Sequence, residues 1–306
     1  MTSLRAGRES RNGRLISAIL ANAVAAYAEV EARADREWRL PAVMFNAMVS
    51  EPVAIRRGLS YGPHERQKLD IYRPAPELDR NTIIVFFYGG GWRRGERATY
   101  HFVGAALAAR GFTMVIPDYR LFPQFGFPSF MEDATLAYRF VQEKLNREKR
   151  KVALMGHSAG AHIATLLTLD RRYLADLPPP IAVVGLAGPY SFDPTTFPRT
   201  RPIFRAAASN PDEARPAAFA SAVSPPMFLA RGVRDRVVGA ANAEDLTRAL
   251  RSHGVFVENR LYAGIGHAGL ILSFARPFRG RASALADCVD FIQRATCGRK
   301  KLTAPG

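Results

Sequence analysis

Cysteine is nearly missing from this sequence: Cys288 and Cys297 are the two thiols in 306 residues. That excludes a disulfide-stapled scaffold. The pair lies nine positions apart on a stretch that reads as a helix, where the two turn to opposite faces and do not bond. No set of Cys and His has metal-ligand spacing, so no metal is expected. Two unpaired thiols fit a reducing, cytoplasmic setting. Nor is there an apolar run long enough for a stable membrane span. The nearest candidate, the alanine-rich stretch 15–28, is interrupted by Asn22 and follows Arg5, Arg8, Arg11 and Arg14. It reads as a helix packed on the domain. A cleaved export signal, with small residues at Ala21 and Ala23 or at Ala26 and Ala28, is the alternative.

Acidic residues are also few. There are 27 Asp and Glu against 43 Lys and Arg, a net charge of +16. Such an excess raises nucleic acid as a partner. The basic residues are scattered, though, with short clusters at 147–151 and 299–301, and no zinc-finger spacing, RNP-type motif or basic heptad region accompanies them. No nucleic-acid partner is expected; the surface is generally basic. Disorder is set aside as well, because 48% hydrophobic and 23% charged residues is the balance of a chain that folds around a sizeable core.

Along the chain, an N-terminal helical segment (1–50, a cap or targeting segment) precedes an α/β domain (51–298) and a basic tail (299–306). Strands are expected at 53–59 and 67–72, with a turn at Gly62-Pro63 between them. The run Thr82-Ile83-Ile84-Val85-Phe86-Phe87 is expected of a strand buried on both faces. Further strands are expected at 112–117, 151–155, 181–186, 227–230 and 256–262. Helices are expected at 102–110, 161–169, 244–252 and 282–296, and 129–148 is a long amphipathic stretch. Residues 188–224, rich in Pro, Ser, Thr and Phe, read as an irregular insertion over the sheet. Alternating strands and helices imply a mostly parallel sheet with helices on both faces. No internal repeat is present.

The central motif is Gly156-His157-Ser158-Ala159-Gly160, a G-x-S-x-G between a buried strand and an apolar helix. A serine nucleophile needs a sharp turn, hence small neighbours, and the helix N-terminus favours developing negative charge. Of six histidines, His267 follows the last expected strand in Gly264-Ile265-Gly266-His267, a flexible loop able to deliver an imidazole across the sheet top. The others have ordinary readings: His64 in a turn, His101 opening a helix, His157 packed beneath the elbow, His162 on the helix after it, and His253 at a helix end. The imidazole needs an acid, and Asp235 lies one strand–helix unit earlier. Asp118, the main rival, precedes the serine and reads as structural, while Glu244 and Asp245 read as solvent-facing. Gly89-Gly90-Gly91 can aim backbone N–H groups at an oxyanion, joined by the amide of Ala159. A phosphate cradle is disfavoured, since neither G-x-x-x-x-G-K-[ST] nor G-x-G-x-x-G occurs.

Tyr88-Gly89-Gly90-Gly91-Trp92, Asp118-Tyr119-Arg120-Leu121, Gly156-His157-Ser158-Ala159-Gly160 and the Asp235 and His267 loops together resemble the hormone-sensitive-lipase-like carboxylesterases of the α/β-hydrolase superfamily. They resemble still more the bacterial esterase and kynurenine-formamidase branch. The resemblance runs from about residue 55 to 295. It implies an α/β-hydrolase fold, a triad of Ser158, Asp235 and His267, oxyanion donors on Gly89, Gly90 and Ala159, and hydrolysis of short acyl esters without a metal or organic cofactor. It departs from the family at Tyr88, where His is usual; that first residue braces the oxyanion loop, and a tyrosine hydroxyl can do the same with a longer reach. Asp133 matches a structural position.

The expected function is therefore carboxylesterase action on a small-molecule ester, through an acyl-enzyme on Ser158. Trp92, Tyr190 and Leu270, with Phe122, Phe125 and Phe127, are candidates to line a substrate pocket, core packing being the alternative for each. The runner-up activity is an arylformamidase or other amidase. A peptidase of the prolyl-oligopeptidase kind is less favoured, as no propeller repeat is found ahead of the domain. A non-catalytic binding protein usually shows loss of serine, acid or histidine, and all three are present. Assembly into a homo-oligomer is left open.

Overall fold

A computed structural model describes Asn46, Val49 and residues 51–298. The helical segment expected over 1–50, apart from Asn46 and Val49, and the tail over 299–306 lie outside the described residues.

Eight strands form one sheet: β1 (Ala54–Ser60), β2 (Lys68–Arg73), β3 (Thr82–Phe87), β4 (Thr113–Pro117), β5 (Lys151–His157), β6 (Val183–Leu186), β7 (Met227–Gly232) and β8 (Val257–Tyr262), in the order β1-β2-β4-β3-β5-β6-β7-β8. The contacts of β2 with β1 and β4 are antiparallel, and every pairing from β4 to β8 is parallel. The helices are α1 (His101–Ala108), α2 (Ser129–Phe140), α3 (Ala159–Leu169), α4 (Ala241–Ser252), α5 (His267–Leu272) and α6 (Ala284–Thr296). Strand burial follows the apolar runs: all six residues of β3 and all five of β4 are buried, as strands covered on both faces must be.

The long stretch 129–148 is not one α-helix. It ends at Phe140 and passes into a π-helical turn, Val141–Leu145. Asn146 closes it, accepting the Arg150 amide at 2.6 Å and donating to the Arg150 carbonyl and to Gln142, each at 3.0 Å. In the insertion, 188–224, the helical elements are the 3₁₀ turns Arg205–Ala207, Pro211–Ala214 and Pro216–Phe219. Helix α6 buries Ala284, Leu285, Cys288, Phe291 and Ile292, a helical stripe. Cys288 is thus interior and Cys297 exposed, and both are free. Among the described residues no helix is long and apolar enough to cross a membrane.

In a parallel sheet the loops beyond the carboxyl ends of the strands share one edge. Here β3 leads into Gly89-Gly90-Gly91, β5 into Ser158, β7 into Asp235 and β8 into His267. Because β3 pairs directly with β5, the glycine loop stands next to Ser158.

Candidate active site

Ser158 adopts φ 54° and ψ −122° between β5 and α3, a left-handed conformation costly for a side-chain-bearing residue and held by its surroundings. The flanking glycines make the turn feasible. A Cβ on Gly156 would collide with the Gly160 carbonyl, and one on Gly160 with the Phe87 carbonyl. Two bonds pin the turn: the Ser158 amide donates to the Leu186 carbonyl at 2.8 Å and the Ala161 amide to the Ser158 carbonyl at 2.9 Å.

The serine, histidine and acid form one hydrogen-bonded chain. His267 Nδ1 lies 2.8 Å from Asp235 Oδ2, and His267 Nε2 lies 2.8 Å from Ser158 Oγ. A carboxylate only accepts, so Nδ1 carries the proton and Nε2 accepts from the Ser158 hydroxyl. The Asp235 side chain is fully buried and His267 is 16% exposed. Burial works against the Asp235 carboxylate, yet the hydrogen bond from His267 and the amides of Val238 and Val237 outweigh it and hold the group below the usual carboxylate range. Those amides donate to Asp235 Oδ1 at 3.0 and 2.8 Å. The acid and histidine loops are tied together by Val233 N–H to the Tyr262 carbonyl (3.0 Å) and Arg234 N–H to the Ile265 carbonyl (2.9 Å).

One sequence expectation changes here. His267 does not sit in a flexible loop but opens α5; six residues are too few to show a helical period. A second contact was not anticipated. His157, buried beside Ser158, donates through Nε2 to the His267 carbonyl at 3.2 Å, so the turn grips the backbone of His267. Burial, with the His267 ring beside it, pushes His157 down to about 3 and keeps it neutral. The variable position of G-x-S-x-G was the only signal for it. His162 is also interior, donating through Nε2 to the Ala214 carbonyl at 2.8 Å.

Gly89 is packed so closely that an added Cβ would lie 2.9 Å from His157 Nδ1 and 3.1 Å from Ser158 Cβ. Gly90 takes φ 138°, which L side chains rarely adopt. Ala159 is the first residue of α3, so its N–H has no partner within the helix. Tyr88, fully buried, is stacked between Tyr100 and Tyr119 at centroid distances of 5.3 and 4.8 Å. Its hydroxyl donates to Asp118 Oδ1 at 2.8 Å and accepts from Arg66 at 2.9 Å, and Tyr119 donates to the Tyr88 carbonyl at 2.8 Å. Asp118 also pairs with Arg97, and Asp133 accepts from Gln67 and Arg120. Both aspartates are structural anchors, and Arg66 is the brace that sequence reasoning missed.

The expected pocket residues Trp92, Tyr190 and Leu270 are a correction. They are 4%, 1% and 0% exposed and offer almost no surface to a ligand. Trp92 packs edge-on against His162 and Phe204 at 5.1 and 4.9 Å. Phe122 and Phe125 remain partly exposed, whereas Phe127 is buried. Among the described residues no His, Cys, Asp and Glu cluster is arranged to hold a metal ion.

The sequence profile of the prolyl oligopeptidase family matches residues 129–298, more than half of the chain. The chain belongs to that family. A second profile, BD-FAE, matches residues 69–176. Among curated relatives, isoprenylcysteine alpha-carbonyl methylesterase of Arabidopsis thaliana is 28% identical over 260 residues, covering 76% of this chain and 60% of its own length. Esterase LipC of Mycobacterium tuberculosis is 29% identical over 228 residues, covering 64% and 55%. The chain therefore spans about 60% of the length of the curated relatives it matches. Among solved structures, an esterase of Pyrobaculum calidifontis superposes with a TM-score of 0.69 at 20% identity, covering 86% of this chain and 92% of that one. An inhibited esterase B of Lactobacillus rhamnosis gives 0.69 at 18%, covering 92% and 97%. These likenesses establish the α/β-hydrolase fold of the family, with the mostly parallel sheet that the strand–helix alternation implied.

Proposed function

We propose that the protein is a serine carboxylesterase acting through an acyl-enzyme on Ser158. The observation that carries this reading is the unbroken chain from Ser158 Oγ through His267 to the buried Asp235. The Ser158 oxygen attacks the ester carbonyl as its proton passes to His267 Nε2. Asp235 holds the tautomer and stabilises the imidazolium. The amides of Gly89, Gly90 and Ala159 receive the oxyanion, and donors of this kind are worth about 3 kcal/mol each. His267 then gives its proton to the departing alcohol and activates the water that releases the acid.

Support for an ester comes also from the relatives, one named a methylesterase and another an esterase; a small alcohol leaving group follows from the first name. The family profile favours peptide-bond cleavage as a second reading. Both are tested by assaying p-nitrophenyl acetate, butyrate and octanoate, N-formylkynurenine and a peptide p-nitroanilide with wild type and Ser158→Ala. Ester turnover abolished in Ser158→Ala is the expected result. Preferential cleavage of the formamide or the anilide moves the activity to an amidase or a peptidase, and ester turnover that survives the substitution refutes the nucleophile.

A further inference from the structure

Among the described residues, Arg93 is a cation without a counter-charge. Its amide donates to the Gly90 carbonyl at 3.1 Å, so it closes a turn built on the glycine loop beside Ser158. The half-buried guanidinium stands 4.5 Å from the centroid of the Phe122 ring and donates to the Arg199 carbonyl at 2.7 Å. It therefore lies where three segments meet: the glycine loop, the loop after β4 and the insertion. The Phe122 amide donates to the Trp92 carbonyl, and the Phe127 amide to the Ile203 carbonyl, fastening the same three together.

Among the described residues Arg93 has no acid beside it. Arg93 Nε is shut away from solvent with no acceptor, and no carboxylate among the described residues pairs with the guanidinium. Arg97, Arg120 and Arg150, similarly half-buried, each pair with carboxylates. Burial and the like charge of Arg94 push the Arg93 guanidinium downward from its ordinary pKa. Arg234 and Arg236, next to Asp235 in the chain, are both exposed. A desolvated guanidinium is costly until an anion meets it, and a single charge-assisted hydrogen bond from it to a carboxylate is stronger than one between neutral groups.

We propose that Arg93 is a specificity-determining residue that selects esters carrying a second, ionised carboxylate, binding that group while Ser158 attacks the ester carbonyl. The proposal rests on the esterase reading above.

The test compares monomethyl glutarate and monomethyl adipate with the uncharged methyl pentanoate and methyl hexanoate, using the full chain as wild type, Arg93→Gln and Arg93→Lys at low and high salt. A charge-assisted pair contributes about 1.5–3 kcal/mol, so wild type is expected to favour the charged esters by about tenfold or more in kcat/KM, chiefly through KM. Arg93→Gln abolishes that ratio and Arg93→Lys restores part of it. High salt weakens the preference in wild type. No preference in wild type, or an equal loss on both kinds of ester in Arg93→Gln, overturns the proposal and leaves Arg93 as a brace between loops; the esterase reading survives if Ser158→Ala abolishes the turnover. Absence of turnover on every ester overturns both.

Discussion

At the scale of single residues, the site combines strain, burial and close approach. Tyr88 shows how a departure from the family pattern is accommodated. Its hydroxyl satisfies both Asp118 and Arg66, and its ring lies in a three-tyrosine stack beneath the glycine loop. Tyr88→Phe leaves an Arg66 N–H short of its acceptor and costs about 1–3 kcal/mol of stability in denaturant titrations. It should also lower kcat roughly tenfold with KM little changed, since misplaced amides act on the transition state. Tyr88→His, too short to span the gap, loses more stability than Tyr88→Phe. A second expectation concerns pH. His157 stays neutral down to about 3, so it should add no proton to the acidic limb of kcat/KM above pH 5; a limb with a slope of two there would show His157 titrating as well. Ser158, His267 and Asp235 were legible in the sequence because the chemistry fixes their types and chain order. Arg66 and the grip of His157 were not, because each depends on a contact between segments distant in sequence. Trp92, Tyr190 and Leu270 misled because an aromatic or aliphatic residue near a motif reads the same whether it lines a pocket or fills the core.

At the scale of elements, legibility followed burial. Strands β3, β4 and β5 are continuous apolar runs and appeared within a residue or two of their observed bounds. Helix α5 was too short for a period, and the π-helical end of α2 is set by the side chain of Asn146 rather than by any pattern. The insertion has no periodicity to read, yet it is held firmly at its start. Asn242, in the first turn of α4, accepts through Oδ1 from the amides of Tyr190, Ser191 and Phe192 at 2.9, 3.0 and 3.1 Å. Ser191 adds a hydroxyl bond to Asp245 at 2.9 Å, and the Ala217 amide returns to the Tyr190 carbonyl at 3.0 Å. The helix that follows the acid loop thereby anchors the segment after β6. Asn242→Ala removes one acceptor from three amides at once and should cost about 2–3 kcal/mol in chemical denaturation. Asn242→Asp keeps the acceptor, places a negative charge at a helix N-terminus, and should cost less. Equal losses for the two variants would show that packing at the site, rather than amide capture, is what matters.

At the scale of the whole molecule, burial of histidines in a strongly basic chain predicts acid sensitivity. Histidines 157 and 162 have folded values near 3 and 4 against an ordinary 6.5, burial being the main cause in both. Below pH 6.5 the unfolded chain takes up protons at these positions that the folded chain refuses, so stability falls with pH, by about 1.4 kcal/mol per unit for each histidine once it is fully protonated in the unfolded state. Asp235 acts in the same direction. Its folded value is depressed, so its contribution is present above the unfolded carboxylate value and is lost as pH falls through the folded one. The net charge of +16 grows with each added proton and increases self-repulsion, but that effect is nearly common to wild type and a single variant and largely cancels in their difference. His162 is the better residue to replace, since His157 touches the site. Urea titrations of wild type and His162→Gln at pH 7.5, 6.5 and 5.5 should show both losing stability, with the variant losing less by about 1 kcal/mol between the two lower values. The variant starts from a lower stability at pH 7.5, because the fit against Trp92 and Phe204 is disturbed, so the evidence lies in the slopes and not in the intercepts. Parallel slopes would mean that His162 takes up its proton in the folded state, and that the buried ring can reach water.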